Sequence, residues 1–305
     1  MLVFATSDKG GTGRSVTSCN LAYQAALHGR NVCYLDFDFG SPTAGTIFNI
    51  DDVSQGTPHG GLHAYLRGLC EAPHRVNVWL DSEREAIRRR PDEAGELVLC
   101  PGDVGGGEFE GDPQVVSRCA DLFLAQEAEF DLTFVDLSAG RSYATQIALQ
   151  VLAMPALEPV AARWLVFHRW TRQHLLAADG LVNGERGLIK TGTSLGHDEQ
   201  RLRDMIRFVR TAVVDPDSRS LAGLTAPQVA WLHECNDELH EMAGRLGAGR
   251  TGSIGRIPHD PVLQWREQIL TNADTRTRKT ANLATVRAFV DLTEKLTPEY
   301  SWVSL

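Results

Sequence analysis

Short apolar runs recur along the chain, each closed off by turn-forming residues. They are LVFAT at 2–6, NVCYLDF at 31–37, ELVLC at 96–100, LTFVDL at 132–137, ARWLVF at 162–167 and MIRFVRTAVV at 205–214. Runs of this kind suit strands buried on both faces. Between them, apolar residues fall at helical spacing, clearest at 15–28, 114–129, 141–153, 170–182, 226–246 and 280–296. Strand then helix, repeated, predicts an α/β fold: a doubly wound, mostly parallel sheet with helices on both faces. No linker and no internal repeat breaks the pattern, so residues 1–305 read as one domain. Two glycine-rich stretches, QGTPHGG at 55–61 and GDVGGG at 102–107, follow candidate sheet elements. Loops there gather near the carboxyl ends of strands, where ligands bind; flexible surface connections are the alternative.

Composition narrows the function classes. Hydrophobic residues make up 43% and charged residues 23% of the 305, an ordinary globular balance. A net charge of −9 argues against coating nucleic acid through overall charge, while leaving room for a local basic face. The six cysteines, at 19, 33, 70, 100, 119 and 235, form no CxxC pair and read as reduced thiols of a cytoplasmic protein. No apolar run is long enough to span a membrane, and MLVFATSD lacks the basic start of a signal peptide. Cations are mostly arginine; the lysines are Lys9, Lys190, Lys279 and Lys295, so a lysine at position 9 stands out.

Lys9 opens the most informative stretch, SDKGGTGRS at 7–15, set between a candidate strand and the helical run SVTSCNLAYQAALHG. Strand, glycine loop and helix N-terminus together suit an anion: glycines let backbone N–H groups curl round phosphate oxygens, and the helix dipole adds positive charge. Ser15 is placed to offer its hydroxyl to Mg²⁺. GxxxxGK[ST] fails twice, at Asp8 and Arg14, whereas KGGxGK[ST] is met by Lys9, Gly10, Gly11, Gly13 and Ser15, with Arg14 the one exception.

That loop resembles the deviant Walker A motif of the ParA/MinD family of dimeric partitioning and positioning ATPases. The resemblance extends to LDFDFGSPTAGT, whose Asp36 and Asp38 match the family's DxD element. It extends to FDLTFVDLSAG at 130–140, a Walker B-like strand ending in Asp136 with Gly140 following, and to the late strand and IP-x-D of 246–268. The weakest part is about 168–225. The resemblance implies a nucleotide set of Lys9, Gly10, Gly11, Thr12, Gly13, Arg14, Ser15 and Val16. It implies a metal set of Ser15, Asp136 and Asp36 for Mg²⁺, and catalytic roles for Asp38, which orients water, and Lys9, which reaches the phosphates of the opposite subunit. ATP is the implied nucleotide, although VVDPDS at 213–218 stands where relatives often carry an Asn near the base. Val16 replaces a second Thr of the motif.

Other signals are weaker. GAGRTG at 247–252 satisfies GxGxxG but precedes a strand, and KTGTS at 190–194 reads as a loop. His59 with His63, and His233 with His240, lack a third metal ligand. RLRDMIRFVR at 201–210 and TRTRK at 275–279 are candidates for a non-specific DNA face, or solvated faces given nearby acids. Trp302 and Tyr300 read as partner-docking or surface residues. The tail TPEYSWVSL carries no positive charge, unlike a membrane-binding helix.

Together these features lead to an expected ParA/MinD-like protein that binds Mg²⁺–nucleoside triphosphate. Nucleotide-linked homodimerisation would switch binding of a protein partner, with slow or partner-dependent hydrolysis. Arg14 and Val16 favour a rival, a pseudo-ATPase scaffold with weak or no nucleotide binding. A metabolic P-loop enzyme would need a substrate pocket, and an iron–sulfur reductase would need a cysteine after the Walker B-like strand.

Overall fold

The apolar runs become strands of one sheet. The computed structural model describes residues 1–218, 223–249 and 252–302. Its strands are β1 Leu2–Thr6, β2 Val32–Phe37, β3 Val76–Asn77, β4 Leu97–Cys100, β5 Leu132–Leu137, β6 Ala162–Arg169, β7 Ile206–Val213 and β8 Ser253–Pro258. Their order is β3-β4-β2-β5-β1-β6-β7-β8. Each pairing is parallel except that of the two-residue β3 with β4. Six helices of ten residues or more connect or flank the strands: α1 Arg14–Leu27, α2 Pro113–Glu129, α3 Tyr143–Leu152, α4 Arg172–Asn183, α5 Ala226–Arg245 and α6 Leu283–Glu294.

Strand alternation divides the core between the two faces. Leu2 and Phe4 of β1, with Cys33, Leu35 and Phe37 of β2, join the cluster that α2, α3 and α4 complete. Val3, Ala5, Val32 and Tyr34 point the other way, into the cluster built with α1 and α6. This is the doubly wound sheet that the strand–helix pattern predicts, with β1 near its middle.

The structure differs from several local expectations. KTGTS lies in a short helix, Leu188–Ser194, and is not a loop. The two glycine-rich stretches pair with each other: Thr57 N–H donates to Gly102 O at 2.8 Å, and Val104 N–H to Thr57 O at 2.9 Å. Gly56 permits that approach, since it has φ of 93° and a Cβ there would lie 2.7 Å from Gly102 O. Trp302 is buried at 2% exposure, against the expectation of surface docking. Its indole N–H donates to Lys295 O and Leu296 O at 3.1 Å, and the guanidinium groups of Arg163 and Arg207 lie over its ring. The side chain of Tyr300 lies outside the described part of the chain, as do Arg250 and Thr251 of the GAGRTG stretch.

The first basic stretch offers no cationic face. Arg207 and Arg210 are buried, while Arg201 and Arg203 pair with Glu158 and Glu199. Arg276, Arg278 and Lys279 of the second are exposed. Among the described residues, no helix is long and apolar enough to cross a membrane, and no group of three or more His, Cys, Asp or Glu could hold a metal ion.

Candidate nucleotide site

Residues 7–13 leave the carboxyl end of β1 and turn into α1. The turn needs two left-handed residues, which Gly11 at φ 70° and Gly13 at φ 76° supply without strain. The loop is tied down from three sides. Gly140 N–H, after β5, donates to Ser7 O at 2.7 Å. Arg141 pairs with Asp8 at 2.8 Å and donates to Gly180 O of α4 at 2.8 Å. Thr211 on β7 donates its hydroxyl to Thr12 O. Meanwhile Gly10 and Gly11 face open space, where an added Cβ would meet nothing within 4 Å. The loop is thus held by its flanks with its glycine mouth open, beside the unpaired N–H groups that begin a helix.

Lys9 is partly exposed at this mouth, and its ammonium makes no hydrogen bond with a described residue. It lies near His174 of α4, whose pKa is lowered first by burial and then by Arg169 and Lys9. Thr12 and Val16 are buried, Val16 within the core on the α1 face.

The three aspartates converge for a reason of register. Asp36 pairs with Asp136 across β2 and β5, and Ala5 of β1 pairs with Asp136. Because Leu35, Phe37, Val135 and Leu137 face the opposite cluster, Asp36 and Asp136 fall on the α1 face. Arg14, the first residue of α1, extends into this space. Its Nε donates to Asp136 Oδ1 at 2.6 Å, and its Nη2 donates to Asp38 Oδ2 at 2.7 Å and to Ser15 Oγ at 3.2 Å. Arg14 is 6% exposed. Its third nitrogen, Nη1, makes no hydrogen bond with a described residue.

This placement differs from the expected one. Arg14 was assigned to phosphate on sequence grounds, yet two of its nitrogens go to carboxylates. Ser15 and Asp136, expected to share Mg²⁺, share the guanidinium instead. Asp36 belongs elsewhere: its Oδ2 accepts from Ala44 N–H at 3.0 Å, at the start of the short helix Ala44–Phe48. The oxygens a divalent ion would use are already engaged at 2.6–3.2 Å by one cation. Mg²⁺ does not fit this arrangement while Arg14 keeps its seat.

The charges explain the arrangement. Burial raises the Asp136 pKa and Arg14 lowers it, with burial the larger effect. Asp36 is raised well above the usual carboxylate range, by burial first and then by Asp136. Burial opposes the charge on Arg14, but Asp136 and Asp38 together raise its pKa. With contact this close, Arg14 stays cationic and Asp136 is its carboxylate partner; the proton the cluster holds most firmly is on Asp36.

Around this core lie residues that sequence analysis did not single out for this purpose. Ser138 accepts from Phe39 N–H at 3.0 Å and joins the loops after β2 and β5. His63 donates Nε2–H to Phe39 O and accepts at Nδ1 from Asp103 N–H, both at 3.0 Å, which accounts for both ring nitrogens without a metal. Nothing in the local sequence marked Thr211, buried in an apolar run. Arg141 directly follows the stretch FDLTFVDLSAG, and only its neighbour Gly140 carried a reading. Beyond β7, Val214 and Pro216 line a cavity of about 510 Å³ with Trp170, Trp231 and His259. Asp260 of the IP-x-D stretch accepts from Val262 N–H, Asn282 N–H and Thr285 Oγ1, joining the chain ahead of α6 to the end of β8.

Comparison with known proteins bears on the fold that carries this loop. The CobQ/CobB/MinD/ParA nucleotide binding domain matches residues 3–226. No curated protein matches the chain in sequence. Among solved structures, the MinC:MinD cell division complex of Aquifex aeolicus is similar at TM-score 0.59 and 17% identity, covering 97% of this chain and 95% of that one. The septum site-determining protein MinD of Pyrococcus horikoshii, complexed with Mg-ADP, gives 0.54 and 16%, covering 97% and 96%. A plasmid partition protein of Borrelia burgdorferi bound to AMPPNP gives 0.58 and 12%, covering 96% of each. These similarities cover nearly the whole fold.

Proposed function

Because the chain belongs to the CobQ/CobB/MinD/ParA nucleotide-binding family, we propose that it is a nucleoside triphosphate-binding switch whose bound state favours a homodimer and the recruitment of a protein partner. The observation that carries this is the glycine loop. Its mouth is open at the N-terminus of α1, its flanks are anchored, and the Lys9 ammonium stands beside it with no hydrogen bond to a described residue.

In this reading, backbone N–H groups of Gly10, Gly11, Thr12, Gly13, Arg14 and Ser15 cradle the phosphates, and Lys9 reaches an anion across the dimer. ATP is the proposed nucleotide, as AMPPNP is bound by the Borrelia protein. Val16 contributes to seating the loop. Asp38 orients water once its contact with Arg14 is released, so hydrolysis is slow or waits on a partner. A second role for the chain, as a scaffold that never hydrolyses nucleotide, is favoured by that same contact: Asp38 is held at 2.7 Å by the Arg14 guanidinium. A cytoplasmic location and a DNA contact through Arg276, Arg278 and Lys279 belong to the same proposal.

Calorimetric titration with ATP and GTP tests binding, and sedimentation with a non-hydrolysable analogue tests dimerisation. Nucleotide at a hundredfold excess over Kd stabilises a protein by about 2.7 kcal/mol. Absence of any heat and of any thermal shift with either nucleotide removes the proposal. Lys9→Ala is expected to weaken nucleotide-linked self-association more than nucleotide binding by the monomer.

A further inference from the structure

We propose that Arg14 is the resident cation of this site and takes the place of a divalent metal, so that the chain binds nucleoside triphosphate in metal-free form. The inference rests on the nucleotide-binding reading above for its ligand, but not for the cation's seat.

Three observations carry it. First, the guanidinium lies among the oxygens that the sequence had assigned to the ion: Ser15 Oγ at 3.2 Å and Asp136 Oδ1 at 2.6 Å, with Asp38 Oδ2 at 2.7 Å. A metal ion in that seat would have to expel Arg14 from a site where it is 6% exposed. Second, the third expected ligand is committed elsewhere, since Asp36 holds Ala44 N–H at 3.0 Å, and no acidic or imidazole cluster suited to a metal occurs among the described residues. Third, the guanidinium has a hand left over. Nε and Nη2 serve the carboxylates and Ser15, while Nη1 makes no hydrogen bond with a described residue.

The chemistry requires arginine rather than lysine. A guanidinium is a flat fork of five N–H donors, which can span two carboxylates and still present an edge to a phosphate oxygen. An ammonium is one compact point and cannot hold Asp136 and Asp38 at once in this way. The Arg14 substitution in the motif therefore brings a positive charge that the fold supplies permanently. An exchangeable ion would make the same charge conditional on its concentration.

Two measurements test the proposal. In the first, ATP is titrated by calorimetry into the wild-type protein with millimolar MgCl₂ or with EDTA. The expected Kd agrees within about threefold between the two, and Arg14→Lys acquires a preference of about tenfold or more for Mg²⁺. In the second, Mn²⁺ alone is titrated without nucleotide and its free fraction followed by electron paramagnetic resonance. Wild type is expected to leave Mn²⁺ free, while Arg14→Lys or Arg14→Gln takes it up. A wild-type Kd that weakens by about tenfold or more in EDTA overturns the proposal, and so does Mn²⁺ bound to the wild-type protein. Both of those results come from wild type and survive a variant that fails to fold. If ATP binds under neither condition while wild type excludes Mn²⁺ and the variants accept it, the nucleotide-switch function falls and the resident cation stands.

Discussion

Arg14→Leu removes the cation from the aspartate cluster while keeping a residue of similar bulk at the start of α1. Breaking a buried ion pair by deleting one partner costs about 3–5 kcal/mol, because the remaining charge is left unpaired in a poor solvent. The Asp136 contact is of this kind, with its side chain 2% exposed. Asp38 retains 22% exposure, so its share is screened and adds less than about 1 kcal/mol. The expected loss is therefore about 4 kcal/mol at neutral pH, or roughly 6 °C in midpoint temperature for a domain of this size. Its pH dependence has a definite sign. Without Arg14 the Asp136 pKa rises further, and a carboxyl raised in the folded state contributes stability that is present at low pH and lost as pH rises through its folded value. The deficit should thus shrink as pH falls from neutral toward the ordinary carboxylate range. Urea denaturation of wild type, Arg14→Leu, Asp136→Asn and the double variant gives the cycle. A coupling of about 2–3 kcal/mol between the two positions is expected, with the urea slope unchanged. A loss below about 1 kcal/mol, with no coupling to Asp136, would show that the guanidinium does not sit between the carboxylates in solution.

Other sites give independent expectations. His168 is buried beside Trp170 and Phe208, and burial lowers its pKa to about 4; stability present above pH 6.5 is lost as pH falls toward 4, by about 3 kcal/mol, and His168→Phe should flatten that slope in melts across the window. Arg84 holds both oxygens of the buried Asp274 and also Ile269 O; Arg84→Met should cost about 3 kcal/mol in urea denaturation, whereas Arg89→Met, at an exposed pair with Glu85, should cost less than about 0.5. Cys70 and Cys235 are partly exposed and the other four cysteines buried, so a thiol reagent should label those two in the native protein, with Cys19, Cys33, Cys100 and Cys119 reacting only after denaturation.

Much of the sheet was legible because a strand buried on both faces declares itself as an apolar run. β1 and β5 coincide with LVFAT and LTFVDL residue for residue, and β6 continues two residues further through His168 and Arg169 because these still pair with β7. β3 was not legible: a two-residue edge strand has no periodicity to detect. α6 starts at Leu283, later than the run at 280 suggests, because Asp260 captures Asn282 N–H and fixes the helix start from a distance. The loop was legible as well, since its glycines and the following helix are local features. The destination of Arg14 was not. It depends on Asp136, which lies 122 positions away and reaches the α1 face only through the pairing of β1 with β5. Likewise Asp36 and Asp38, two residues apart, would share a side of any strand that held both; β2 ends at Phe37, so Asp36 meets Ala44 N–H while Asp38, beyond the strand, meets Arg14.

The central place of β1 has a consequence during protein synthesis. Leu2–Thr6 leave the ribosome before every other strand of the sheet, yet their register partners begin at Thr133 on β5 and Ala162 on β6. At about 5–20 residues per second, the strand waits roughly 8 to 30 s for its second neighbour. Until β5 is made, five residues that end up fully buried have both edges open, and until β6 follows one edge stays open, an invitation to association with other nascent chains. The loop waits longer still, because Thr211 must arrive before Thr12 O has its hydroxyl donor. Translation-arrested chains ending before Ala162 should therefore be cut readily by protease at and around Leu2–Thr6, and chains extended beyond Pro258 should resist; equal resistance at both lengths would mean that β1 finds shelter before its neighbours are made.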